Sequence, residues 1–101
     1  MSRFEEHVRA ALDMLPPELA RGLENVAVVV EEQNPEEPDL YGLFDEPAYL
    51  PARIAIYRRP LVEDFGHDPE ELRREVQITV AHELAHLFGF DEDKLDELGY
   101  A

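Results

Sequence analysis

The stretch from Asp68 to Gly89 reads DPEELRREVQITVAHELAHLFG and predicts the longest helix of the chain. Asp68 is a good N-cap, Pro69 suits the first helical position, and Glu71 is placed to complete a capping box. Gly89 is placed to end the helix, which gives it about 20 residues and a length of ~30 Å. Charged residues dominate its first half and apolar residues its second half. We therefore expect the second half to be buried on nearly every side.

The apolar half contains an H-E-x-x-H motif, His82-Glu83-Leu84-Ala85-His86. Histidines four positions apart lie on one side of a helix, so both imidazoles can hold a single cation. Glu83 lies beside them, where a carboxylate can act as general base on a water that the cation activates. Burying these three groups in an apolar helix is costly unless something pairs them, and a dication does so. The alternative is a chance match on a solvated helix, which fits the apolar flanks less well.

The acidic segment after Gly89 offers a third ligand for a metal ion. In the pattern where a ligand falls three residues after the glycine, that ligand is Glu92, and Asp91 and Asp93 compete for the role. Asp91 is also a sound N-cap for a final short helix over 92–98. A fourth position left open for water would mark a catalytic rather than a structural zinc site.

Hydrophobic periodicity, β-branched runs and turn residues predict the remaining elements. In chain order these are a helix over 3–14, a short helical turn over 17–22, a buried strand over 26–30, an edge strand over 40–44, a strand over 53–57 and a helical turn over 60–66. The pattern does not decide which residues form the apolar face of the third strand. That face carries either Ile54 and Ile56 or the set of Arg53, Ala55 and Tyr57, depending on the register.

Composition excludes several classes of function. The 101 residues include 24 acidic and nine basic side chains, for a formal net charge of −15, which argues against binding nucleic acid or anionic lipid. The chain has no cysteine, so a metal could take only His, Asp, Glu, backbone oxygen or water as ligands. His7 and His67 lie in surface-like contexts and are not expected to be ligands. No run is apolar enough for a membrane span and the start lacks signal-peptide features, so we expect a cytoplasmic protein.

The string from Thr79 to Gly99, TVAHELAHLFGFDEDKLDELG, resembles small bacterial zincin-like domains with an H-E-x-x-H-x-x-G-x-x-D/E motif. The segments PDLYGLFDEP (38–47) and PARIAIYRRP (51–60) are also similar to these minimal metallopeptidases. The resemblance implies a compact α+β domain, with a small mixed sheet packed against the active-site helix and two or three further helices. It also implies one zinc ion on His82, His86 and Glu92, with Glu83 as the catalytic carboxylate. Where the family has Asp at the third ligand position, this chain has Glu.

The resulting hypothesis is a single domain over 1–101 that hydrolyses peptide bonds in a peptide or protein substrate. The predicted edge strand is the candidate substrate-binding segment, through Leu40, Tyr41, Gly42 and Leu43, unless it is only a connector. The side chains that could stabilise the oxyanion are Arg53, Tyr41, Tyr57 and Tyr100. The first alternative is a metal-binding interaction module without significant proteolysis. The second is an acidic structural or nucleic-acid-mimicking protein, which accounts for the charge but leaves the motif unexplained.

Overall fold

Three strands and five α-helices form the part of the chain that the computed structural model describes, which is residues 3–45, 52–89 and 91–100. In chain order they are α1 (Arg3–Asp13), α2 (Pro17–Gly22), β1 (Val26–Glu31), β2 (Gly42–Asp45), β3 (Ala52–Tyr57), α3 (Arg58–Phe65), α4 (Pro69–Phe88) and α5 (Glu92–Glu97), with a 3-10 turn at Leu23–Asn25 before β1. The predicted α+β class is therefore confirmed. Within these ranges, the structure has no helix that is long and apolar enough to cross a membrane.

The sheet is mixed, with strand order β1-β3-β2. β3 runs parallel to β1 and antiparallel to β2, so that Ile54 lies opposite Val28 on one side and Phe44 on the other. As the central strand, β3 buries Ile54 and Ile56 and also Ala55 and Tyr57. Both faces of β3 are covered from Ile54 onward. The sequence offered either Ile54 and Ile56 or the set with Ala55 and Tyr57 as the buried face, and the structure buries all four residues.

β1 corrects one sequence expectation. Its residues are half-buried or exposed and none of them is fully buried, although the valine-rich run predicted a buried strand. In the described part of the chain β1 pairs with β3 alone and lies at an edge of the sheet, so its outer side is less covered than that of a central strand. A β-branched run indicates strand conformation more reliably than position within the sheet.

α4 is the helix around which the core is built. Val76, Val80 and Leu84 are fully buried on it, and they belong to one apolar cluster with residues of α1 such as Phe4 and Val8. The buried Gln77 ties the two helices together, since its side-chain amide donates to the carbonyl oxygen of Ala11 at 3.0 Å. The expectation that the second half of α4 is buried on nearly every side is confirmed as far as Ala85, where its residues are buried or half-buried. It is wrong for His86, whose side chain is exposed.

The ends of α4 follow local signals, with one correction. Asp68 accepts hydrogen bonds from the backbone N–H groups of Glu70 and Glu71, and Gly89 ends the helix in the left-handed region at φ 68°. The second half of the predicted capping box does not form. The N–H of Asp68 donates to the carbonyl of Phe65, while the Glu71 carboxylate lies 3.4 Å from the ring of His67. α4 is therefore fixed at both ends without the reciprocal bond.

Candidate metal and catalytic site

Glu83 is anchored to the edge strand β2. Its side chain is only 16% exposed, and its Oε1 accepts the backbone N–H of Phe44 at 2.9 Å. Backbone groups alternate in direction along a strand, and the carbonyl of Tyr41 pairs inward with Tyr57 of β3. The N–H and C=O of Gly42 therefore turn away from β3, toward the same side as the N–H of Phe44. This bond fixes the carboxylate at the outer edge of the sheet.

The two histidines of the motif differ in exposure and partners. His82 is half-buried, and its Nε2 lies 2.7 Å from the backbone carbonyl oxygen of Tyr100. The side chain of His86 is 67% exposed, with its Nδ1 3.7 Å from Oε1 of Glu83. Glu83 and His86 thus lie side by side, while His82 is engaged by the chain itself.

The acidic residues after Gly89 separate into two roles. Asp91 is the N-cap of α5, where its carboxylate accepts the N–H of Lys94 at 2.9 Å, as the capping alternative predicted. Glu92 and Asp93 are exposed in the first turn of α5. Across residues 3–45, 52–89 and 91–100, no group of three or more His, Asp or Glu side chains is close enough to hold a metal ion. The described arrangement therefore supplies two imidazoles, the ligand type that zinc takes, without a third ligand gathered beside them.

A cleft of about 240 Å³ joins the motif to the predicted substrate-binding segment. The residues that line it are Leu40, Tyr41, Gly42, Ile78, Thr79, His82 and Glu83. Leu43 is exposed and is not among the lining residues. A larger hollow of about 460 Å³ lies between α1 and β1, but its lining contains no histidine. The smaller cleft is the candidate site, since it alone of the two contains residues of the motif.

Gly42 lets β2 approach α4 closely. A Cβ at this position would lie 2.6 Å from Cγ2 of Thr79 and 3.0 Å from the carbonyl oxygen of Ala55. Thr79 cannot easily give way, because it is β-branched, buried and bonded through its hydroxyl to the Glu75 carbonyl at 2.8 Å.

We expect Gly42→Ala to lower the free energy of unfolding by about 1–3 kcal/mol, the usual cost of overpacking, as measured by urea denaturation. Leu43→Ala is the matched control on the exposed neighbour, with an expected change within about 0.5 kcal/mol. An alanine at position 42 without effect on stability would contradict the close packing of β2 on α4.

The four candidate oxyanion donors all have partners within the described structure. The Tyr41 hydroxyl donates to the Asp64 carboxylate, and the Tyr57 hydroxyl accepts from the side-chain amide of Asn34 at 3.0 Å. Arg53 pairs with Asp45 at 3.3 Å. Tyr100 is buried, with its ring beneath the guanidinium group of Arg74. Each of these four side chains is engaged by a neighbour outside the motif, although Tyr41 also lines the cleft and the backbone carbonyl of Tyr100 contacts His82. The described contacts therefore do not single out one of them as the oxyanion donor.

The hydrogen bond to Asp64 raises the pKa of the Tyr41 phenol to about 12, with burial and nearby acidic charge adding to the effect. The phenol keeps its proton longer in the folded protein than in the unfolded chain. Its contribution to stability is therefore full below a pH of about 10 and is lost as the pH rises through about 12.

We expect Asp64→Asn to bring the pKa of Tyr41 down toward its ordinary value. The measurement is an alkaline titration of phenolate absorbance, with Tyr41→Phe identifying the signal. Glu63→Gln removes the same charge one position away and should leave the titration almost unchanged. A Tyr41 pKa that is equal in the wild type and Asp64→Asn would show that Asp64 does not control it.

Two of the groups that engage the motif were missed by sequence reasoning: the N–H of Phe44 and the carbonyl of Tyr100. Both are backbone groups, which every residue carries, so no pattern in the sequence could have singled them out. Only the tertiary arrangement of β2 and α5 against α4 brings them to Glu83 and His82.

The fold and the placement of H-E-x-x-H on a core helix beside an edge strand agree with a family comparison. Residues 23–100 match the model of the zincin-like metallopeptidase family, and the chain belongs to that family. The comparison with curated proteins found no match. The resemblance seen in the sequence is thus confirmed at the level of the family.

Proposed function

We propose that the protein is a zinc-dependent peptidase, with His82 and His86 as two of the zinc ligands and Glu83 as the general base. The observation that carries the proposal is the anchoring of Glu83. Its carboxylate is held by the N–H of Phe44 at the edge of the sheet, beside His86 and in the same cleft as His82. A general base must be held within reach of the proton that it removes, and this anchor supplies a fixed orientation.

The donors fit zinc in kind, and we propose Glu92 as the third ligand. Glu92 opens α5, whereas Asp91 already caps that helix and Asp93 is the remaining competitor. One zinc ion per chain, when bound, supplies a Lewis acid that lowers the pKa of a water molecule toward ~7 and polarises the substrate carbonyl.

The residues of the chain perform the rest of the proposed reaction. The amide of Phe44 holds Oε1 of Glu83, which leaves Oε2 to accept a proton from the attacking water and to pass it to the leaving amine. The outward N–H and C=O of Gly42 pair with an extended peptide laid along β2, as in strand addition. We propose peptides or unfolded segments of a protein as the substrate, basic ones over acidic ones, since the net charge is −15.

A comparison of zinc-loaded and chelator-treated protein against a peptide library tests this proposal. We expect cleavage by the zinc-loaded protein only, and faster cleavage of lysine-rich than of glutamate-rich peptides at low salt. Zinc binding without cleavage of any peptide would favour the alternative of a metal-binding interaction module. We also propose that residues 1–101 act as one domain, in the cytoplasm, without nucleic-acid or membrane partners.

A further inference from the structure

The carbonyl that meets His82 is held in place by a compact arrangement, which we call the Arg74–Tyr100 latch. It consists of Arg74, Gly99 and Tyr100. The Arg74 side chain donates to the carbonyl of Gly99, and its guanidinium lies 5.0 Å above the centre of the Tyr100 ring. Tyr100 is only 4% exposed, and its N–H donates to the carbonyl of Leu95 at 2.8 Å. These contacts together fix the position of the Tyr100 carbonyl.

The latch and a metal ion compete for the same nitrogen. A carbonyl oxygen only accepts hydrogen bonds, so the 2.7 Å contact places a hydrogen on Nε2 of His82. A nitrogen that carries a hydrogen has no lone pair for a metal. Nε2 is also the ring nitrogen farther from the helix backbone, and histidines at i and i+4 reach a shared ion most readily with that end of the ring.

The latch is joined to the segment that carries the proposed third ligand. Glu92 opens α5, and the turn through Gly99, at φ 88°, connects the end of α5 to Tyr100. In the described arrangement the backbone carbonyl of Tyr100 contacts His82, and no third ligand from the described residues lies beside the histidines. Glu92 begins α5 and Tyr100 follows its end, so only this one short helix separates them. A shift of α5 that brings Glu92 toward the histidines would therefore also draw Tyr100 away from His82.

We propose that the Arg74–Tyr100 latch is an autoinhibitory contact, which holds the site in a metal-free conformation and opens when zinc binds. This inference rests on the proposed zinc site at His82 and goes beyond it, since it assigns a regulatory role to Arg74 and Tyr100. Zinc selects the open state, and its apparent affinity is reduced by the fraction of molecules that are latched.

The test is the zinc affinity of Arg74→Ala, measured by titration against a competing chelator. Loss of the guanidinium weakens the latch, and we expect the apparent Kd for zinc to fall about five-fold. Arg73→Ala is the matched control, because it removes the same charge one residue earlier and Arg73 contacts His7 instead. Gly99→Ala is a second way to loosen the latch, since alanine is strained at φ 88° while nothing lies within 4 Å of its Cβ.

Nitrogen NMR of the His82 ring gives a readout that a merely structural role would not move. We expect hydrogen on Nε2 in the metal-free protein, and zinc on Nε2 without a hydrogen bond to Tyr100 in the loaded protein. Zinc affinity in Arg74→Ala that is equal to or weaker than in Arg73→Ala would overturn the latch and leave the proposed function standing. Tighter binding in Arg74→Ala without any peptidase activity would support the latch and count against peptidase function. Failure of every variant to bind zinc would overturn both.

Discussion

Glu83→Gln is expected to lower kcat for peptide hydrolysis by about 10²–10⁴-fold, the usual contribution of a general base. Glutamine keeps the size of the side chain and an oxygen that can accept the N–H of Phe44, but it cannot take up a proton. Because Glu83 is not one of the proposed ligands, zinc affinity should change little. Steady-state kinetics together with a zinc titration measure both effects.

Glu75→Gln is the matched control for this variant, since it removes one negative charge from the same helix two turns before Glu83. It should retain near-normal turnover. Equal turnover in Glu83→Gln and the wild type would remove Glu83 from the catalytic machinery, even if zinc is bound.

Leu84→Ala is expected to lower the free energy of unfolding by about 2–5 kcal/mol, because it leaves a cavity in the core. Leu84 is 0% exposed, lies inside the H-E-x-x-H motif, and packs in the cluster that α4 shares with α1. For a domain of this size each 1 kcal/mol lowers the melting temperature by about 4–8 °C, so the loss should be plain in thermal unfolding.

Met14→Ala provides the control for Leu84→Ala, because Met14 is an exposed apolar side chain outside the core. Its expected change is within about 0.5 kcal/mol. If the free energies of unfolding of Leu84→Ala and Met14→Ala differed by less than about 1 kcal/mol, the motif would not lie on a core helix.

Local signals explain why so much of the fold could be predicted from the sequence. Asp68, Pro69 and Gly89 each act within one helical turn, and the structure confirms α4 between them. The first helix ends one residue earlier than expected, and β2 begins two residues later, at Gly42. The third helix, expected over 60–66, already begins at Arg58, because Pro60 is tolerated within a first helical turn.

The expectations that failed depend on contacts between distant parts of the chain. The position of β1 at a sheet edge is decided by its pairing with β3 and not by its own valines. The Glu71 carboxylate lies beside His67 instead of at the N–H of Asp68, which is bonded to Phe65. The motif indicated His82, Glu83 and His86 as a site, but their backbone partners follow only from the tertiary structure.

The structure assigns several of the acidic residues to helix caps and surface ion pairs rather than to chemistry. Several carboxylates serve as caps or surface ion pairs, such as Asp68 at the start of α4 and Glu32 beside Arg58. The Arg58 hydrogen bond lowers the pKa of Glu32, and the two form an exposed pair of small energetic weight. In the proposed mechanism, only Glu83 and Glu92 of the acidic residues take part in the chemistry.

A zinc site on the H-E-x-x-H helix is tested most directly by the zinc content of the loaded protein, compared with a His82→Ala/His86→Ala double variant. We expect about one zinc per chain in the wild type and none in the double variant, with both proteins folded by circular dichroism. Equal zinc content in the two proteins, or no zinc in a folded and fully loaded wild type, would contradict a zinc site on this helix.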